Sequence, residues 1–190
     1  EYATGFSGKA RRNEYYVFQV GVWAATGEIE QLRVECTDLK SGKNTIDTGK
    51  ITCFNTEGIN PDGNYFSKNV DINKGDVQAL WFGIDIPEDI NPGKYKGKIK
   101  VGGENTESGE VEVEIKVGKQ IIASRGDNEL WRHSRLRWLN STAGIDNKPV
   151  NPFSEIKKID ENTFSTSGHK ITFSKNGLPQ EISAFNQDIL

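Results

Sequence analysis

Between Asp76 and Val117 the chain alternates apolar and polar residues with a period of two, and it does so three times. Leu80, Phe82, Ile84 and Ile86 alternate first, followed by a turn marked by Pro87 and Gly93. Tyr95, Gly97, Ile99 and Val101 then alternate with Lys94, Lys96, Lys98 and Lys100. Beyond the polar loop Gly102 to Gly109, Val111, Val113, Ile115 and Val117 alternate with Glu110, Glu112, Glu114 and Lys116. Such patterning predicts antiparallel strands with one face in a core and one in water. The second and third strands fix their own register. Lys100 opposite Glu110, Lys98 opposite Glu112 and Lys96 opposite Glu114 keep Ile99, Val111, Gly97 and Val113 inward, whereas a one-residue slip would bury the lysines. Because both signs are interleaved, the ladder reads as a solvated sheet face rather than an anion site.

The same reasoning extends to the rest of the chain. Glu1 to Asn13 is polar, a lead-in with a weak edge strand. Glu14 to Ala24 is a long strand with Tyr16, Phe18, Val20 and Val22 on one face; Tyr15, Val17 and Trp23 lie on the other. Further strands are predicted at Ile29 to Thr37, Lys50 to Phe54 and Tyr65 to Ile72, with turns at Ala25 to Gly27 and Ser41 to Asn44 and a loop at Gly58 to Gly63. Seven or so short strands joined by tight turns predict an all-β immunoglobulin- or fibronectin-like antiparallel sandwich over residues 1–118.

Residues 119–190 are expected to hold a linker, a short helical or turn segment and a partial β-domain. Lys119 to Gly126 is the connector. DNELWRHSRLRWLNS (127–141) is the one candidate helix, capped by Asp127, with Trp131, Arg135 and Trp138 on one face. Ile156 to Ile159, Thr163 to Ser165, His169 to Phe173 and Glu181 to Phe185 then read as a small β-meander, the opening of a second β-domain.

Composition narrows the function. A net charge of −3 without a basic cluster argues against a nucleic-acid partner. No apolar run approaches the ~20 residues of a membrane span, and no signal peptide is visible. The 190-residue chain has no Met, starts at Glu1 and stops at Leu190 directly after the strand-like EISAF, so it is expected to be a piece of something longer. Cys36 and Cys53 both fall in phase with core residues; a disulfide and two buried thiols both remain open. No paired Cys or His spacing supports a metal site, and no cofactor is expected.

At residues 127–141 the chain resembles a known family. DNELWRHSRLRWLNS, followed by GID and by SKNGLPQEI, is similar to the non-catalytic N-terminal β-sandwich region of glycoside hydrolase family 123 and related bacterial proteins. LWFGIDIPEDINPGKYKGKIKV also looks like these proteins, and the likeness covers roughly Gly75 to Ile182. The resemblance implies a secreted, periplasmic or surface-attached bacterial protein. It further implies that the chemistry belongs to a following β/α barrel, where an adjacent Asp-Glu pair hydrolyses N-acetylgalactosaminides with help from the substrate's acetamido group. No such barrel is present in this sequence.

Asp160-Glu161 is an adjacent acid pair, but in the charged turn KKIDENTF it has no aromatic walls or cleft, and the expectation is that it is not catalytic. Glu88-Asp89 is set aside for the same reason. The two histidines, His133 and His169, lie on separate elements and suggest no triad. The four tryptophans offer more. Trp23 and Trp81 fall out of phase with their strands' core residues and, with Tyr15, are candidates for a carbohydrate platform, since sugar C–H faces stack on aromatic rings. The competing reading covers this face with residues 127–141, leaving Trp131, Arg135, Arg137 and Trp138 as interdomain packing. The favoured expectation is a monomeric accessory sandwich whose partner is the parent's catalytic barrel. A carbohydrate-binding module is the alternative, and a complete enzyme the third.

Overall fold

The computed structural model describes residues 5–126, 128, 136–146 and 148–190. The chain divides into two compact units, Glu1–Ser141 and Thr142–Leu190.

The first unit is a β-sandwich. Its strands are β1 (Gly5–Arg12), β2 (Tyr15–Trp23), β3 (Arg33–Cys36), β4 (Leu39–Ser41), β5 (Asn44–Ile46), β6 (Ile51–Cys53), β7 (Glu57–Ile59), β8 (Tyr65–Ser67), β9 (Val77–Asp85), β10 (Gly93–Gly103) and β11 (Thr106–Ile121). One sheet runs β1-β11-β10-β4-β5, with β3 also paired to β10. The other runs β2-β9-β6, and β7 and β8 form a small hairpin of their own. Alternation supplies both inner faces. Phe18, Val20, Leu80, Phe82 and Ile84 come from the smaller sheet, and Tyr95, Ile99, Val113, Ile115 and Val117 from the larger. Phe18 is at the centre, stacked on Phe6 at 4.5 Å and on Phe82 at 5.3 Å between ring centroids. Each fully buried side chain of this size contributes roughly 1.5–3 kcal/mol relative to leaving it exposed.

The β10–β11 register is the one the charge pattern predicts: Lys100 pairs with Glu110, Lys98 with Glu112 and Lys96 with Glu114. The side chains do not all close straight across. Lys98 reaches diagonally to Glu110 at 2.7 Å, Lys100 joins the same carboxylate at 3.5 Å, and Lys96 meets Glu114 at 3.2 Å. Gly97 is needed on the inner face here, since a Cβ would come within 2.7 Å of the Asp38 carbonyl oxygen.

The lead-in does form an edge strand of the larger sheet, longer and better anchored than its polar sequence suggests. β1 is an eight-residue strand that runs parallel to β11, Phe6 opposite Val113 and Gly8 opposite Ile115. Phe6 anchors it by stacking on Phe18. The expected strand from Ile29 to Thr37 is shorter: only Arg33–Cys36 pairs with β10, and Ile29 makes an isolated bridge to Ile72.

The second unit is one antiparallel meander of β12 (Lys157–Lys158), β13 (Thr163–Thr166), β14 (His169–Phe173), β15 (Pro179–Ala184) and β16 (Gln187–Asp188). Its faces are sorted by the pairing. Phe164, Ile171 and Ile182 align across three strands. Ile189, whose N–H donates to the Ile182 carbonyl, extends that row, and Phe173 meets Phe164 edge-on at 6.0 Å. Thr163, Thr172 and Glu181 align on the opposite face, as do Ser165, Lys170 and Ser183. The result is a single layer, apolar on one side and polar on the other.

Candidate functional site

β2 and β9 pair residue for residue along their length, so one outer face can be read directly from the register. In order it carries Tyr15/Asp85, Val17/Gly83, Gln19/Trp81, Gly21/Ala79 and Trp23/Val77. The two ends of this face differ.

The Tyr15 end is closed. Tyr15 is buried, and its ring covers Gly83 so closely that a Cβ there would lie 2.6 Å from two ring carbons. Burial pushes its hydroxyl up to about 12, while a hydrogen bond to the Thr52 side chain and the positive charge of Arg137 act in the other direction. Beside it, Arg125 forms an ion pair with Asp85 and donates to the Ile86 carbonyl at 3.1 Å. Two successive left-handed residues, Ser124 at φ 49° and Arg125 at φ 58°, turn the connector so that this guanidinium meets β9.

The other end is open. Trp23 is 54% exposed and Trp81 40%, with exposed Val77 beside them. The Trp81 backbone is fixed: its N–H donates to Asn55 Oδ1 at 2.7 Å and its carbonyl accepts from Phe54 at 3.0 Å. Tyr15 and Trp23 share the face but stand eight residues apart, roughly 27 Å along the strand. The structure therefore brings Trp23 and Trp81 to one surface and does not bring Tyr15 beside them.

Trp131 and Arg135, with Arg132 and His133, lie outside the described residues. Residues 136–140 form 3-10 turns held to the first unit by Asn140, whose Oδ1 accepts from the Ile59 N–H at 3.0 Å. Arg137 lies near the Tyr15 hydroxyl, and Trp138 is 62% exposed.

The acid pairs are in turns. Asp160 Oδ1 accepts from the Asn162 N–H at 2.9 Å, and that backbone hydrogen bond, with help from Thr163, holds the carboxyl below its ordinary value. Glu161 is exposed in the same turn, and Glu88 contributes its carbonyl to Arg12 Nε at 2.8 Å. His169 packs on Phe185, and its Nδ1 lies 3.2 Å from the Ser167 carbonyl oxygen. Among the described residues no group of three or more His, Cys, Asp or Glu could hold a metal ion.

Cys36 and Cys53 are free thiols on different sheets, Cys53 buried in the core and Cys36 half-buried against it. Burial pushes Cys36 up to about 12, with the neighbouring Cys53 and Glu57 acting in the same direction, and burial also raises Cys53. Sequence reasoning missed one feature, an open-mouthed cavity of about 490 Å³ at the Trp23 end of β2, where inward Val20, Val22, Leu32, Val101 and Val111 meet outward Gly21 and Trp23, with Glu107 and Glu110 on the same wall. Alternation marked most of these positions as inward. Nothing in the pattern marks where the sheets splay.

Residues 53–103, from the end of β6 through β10, match the glycoside hydrolase 123 N-terminal domain. Among solved structures the fold is similar to a family 123 glycoside hydrolase from Clostridium perfringens, described in connection with glycolipid glycan hydrolysis. That match has a TM-score of 0.50 and 18% identity, and covers 62% of this chain and 23% of that one. The chain thus spans less than a quarter of that neighbour's length. The ASH/PapD-like domain 7 of human CEP192 aligns at a TM-score of 0.38 and 6% identity, covering 63% of this chain and 84% of that one. No curated protein matches the chain. The likeness read from the sequence is therefore borne out: this is an all-β chain resembling the N-terminal region of glycoside hydrolase family 123.

Proposed function

We propose that this chain is a non-catalytic accessory region of a larger, extracytoplasmic glycoside-hydrolase-like protein, in which it holds a catalytic β/α barrel in place. The observation that carries the reading is the one-sided sheet of the second unit. Phe164, Ile171, Phe173, Ile182 and Ile189 share a face, the first four half-buried and Ile189 exposed, while Thr163 on the opposite face is the one buried residue of the unit among those described. A single sheet with one apolar face is half of a core, and such faces are stable when another layer covers them. The covering layer in this reading is the rest of the parent chain, so the accessory region is monomeric and needs no cofactor. The match over residues 53–103 supports the choice of parent; the extracytoplasmic location is what the resemblance read from the sequence implies. Asp160 and Glu161, both exposed in one turn, support the non-catalytic assignment.

An aryl N-acetylgalactosaminide assay tests this. The chain alone is expected to give no hydrolysis, and the full-length parent to turn the substrate over. Hydrolysis by the chain alone, abolished by Asp160→Asn or Glu161→Gln, would refute the reading.

A further inference from the structure

The open end of the β2–β9 face has a definite relief. Trp81 stands opposite Gln19 and Trp23 opposite Val77, so the two indoles rise from neighbouring strands with a four-residue offset, roughly 13 Å along the sheet. Between them lies the Gly21/Ala79 pair. Gly21 has no side chain, and a Cβ built there would meet nothing within 4 Å. The surface is therefore two exposed aromatic walls with a low floor between them.

Its charge is equally definite. Gln19, Gly21, Trp23, Val77, Ala79 and Trp81 carry no ionisable group, and the carboxylates of Glu107 and Glu110 border the strip only at its Trp23 end. The other long exposed face, on β10 and β11, is a ladder of Lys94, Lys96, Lys98 and Lys100 against Glu110, Glu112 and Glu114. An uncharged strip suits an uncharged ligand. A protein partner covering the same strip would have to fill the Gly21/Ala79 floor with a protruding side chain. A chain of flat rings can lie on both walls and pass over the floor, with the Gln19 carboxamide offering a donor and an acceptor to hydroxyl groups.

We propose that this face is a binding site for a neutral oligosaccharide, stacked on Trp23 and Trp81 and crossing Gly21 and Ala79 between them. The proposal rests on the accessory reading only for the kind of polymer it names.

Cellohexaose and N-acetylchitohexaose, titrated into the chain and followed by tryptophan fluorescence and calorimetry, are the probes. Saturable binding is expected to at least one of them. Trp23→Ala and Trp81→Ala should each weaken it at least about tenfold. Gly21→Leu, which raises the floor at a position with open space above it, should weaken it as much while leaving the melting temperature unchanged. Trp138→Ala should leave affinity unchanged. Absence of saturable binding to both probes would overturn the site, as would binding that survives the Trp23→Ala/Trp81→Ala pair. Loss of affinity for the parent's purified catalytic domain in that double variant, with no glycan binding by the wild type, would reassign the face to protein contact. Each of these outcomes leaves the hydrolysis assay, and so the accessory reading, to be judged separately.

Discussion

The ring of Tyr15 occupies the space that a side chain at Gly83 would need, with two ring carbons 2.6 Å from the place of a Cβ. The pair is formed by adjacent strands, Gly83 facing Val17 one step along from Tyr15/Asp85, so neither backbone can withdraw without breaking the β2–β9 ladder. Gly83→Ala should therefore destabilise the first unit by about 1–3 kcal/mol. Urea denaturation measures this. A Gly83→Ala/Tyr15→Ala double variant should lose less than the sum of the two single changes, because removing the ring removes the clash.

Alkaline pH should unfold the first unit through the same tyrosine. Tyr15 is raised from 10.0 and Cys36 from 9.0, each to about 12, chiefly by burial. A folded-state value above the unfolded one means stability that is complete below the unfolded value and is lost as pH rises toward the folded one. The loss should begin near pH 9 with Cys36 and continue above pH 10 with Tyr15, reaching on the order of 2–4 kcal/mol for each. Denaturant midpoints between pH 8 and 11 check this, and Cys36→Ser and Tyr15→Phe should each flatten the decline in their own range.

Thiol reactivity offers an independent measurement. With Cys53 buried in the core, Cys36 half-buried against it and the ionisation of both disfavoured, an aromatic disulfide reagent at pH 8 should react slowly with the native chain, slowest at Cys53, and titrate two thiols in denaturant. Rapid native reaction at Cys53 would contradict the packing described.

Core and surface aromatics should part company. Phe82 is 0% exposed and stacked on Phe18, so Phe82→Ala should cost about 3–5 kcal/mol. Trp23→Ala should fall within about 0.5 kcal/mol of the wild type, as an exposed side chain away from caps and buried networks does. Thermal melts of the two variants decide it.

On the ladder, the Lys98 ammonium, by hydrogen bond and charge, holds the Glu110 carboxyl below its ordinary value. Lys98→Met should bring that titration back up, and carbon-detected NMR of the Glu110 carboxyl reads it. The contribution of the pair to stability is present above the ordinary carboxylate value and lost as pH falls through the depressed one.

How legible these features were depended on the length of pattern available. The β10–β11 register could be read pair by pair because one alternation runs through Lys94–Val101 and Glu110–Val117, with opposite charges facing across it. The β4–β5 hairpin showed only its turn, Ser41 to Asn44, since three-residue strands are too short to display a period. β1 was legible only as a weak edge, without its partner. In GFSGKARR only Phe6 is a large apolar residue, and its partner strand lies over a hundred positions away, so its pairing is decided by tertiary packing on Phe18. For the candidate site, phase alone identified Trp23 and Trp81 as outward, whereas their four-residue offset and the bare Gly21 floor depend on how β2 is registered against β9. Tyr15 was in phase with Trp23 as well, but phase carries no distance.

The side-by-side docking of β1 and β11 also governs when the molecule can take shape. The opening strand waits, unpaired, until its partner more than a hundred residues later has been synthesised. Contacts this distant in sequence make closure slow and leave the growing polypeptide holding a half-built sandwich of exposed Phe and Val. Emergence of Thr106–Ile121 from the ribosome is thus the event that seals the sandwich, and a stall before it would hand the nascent chain to chaperones.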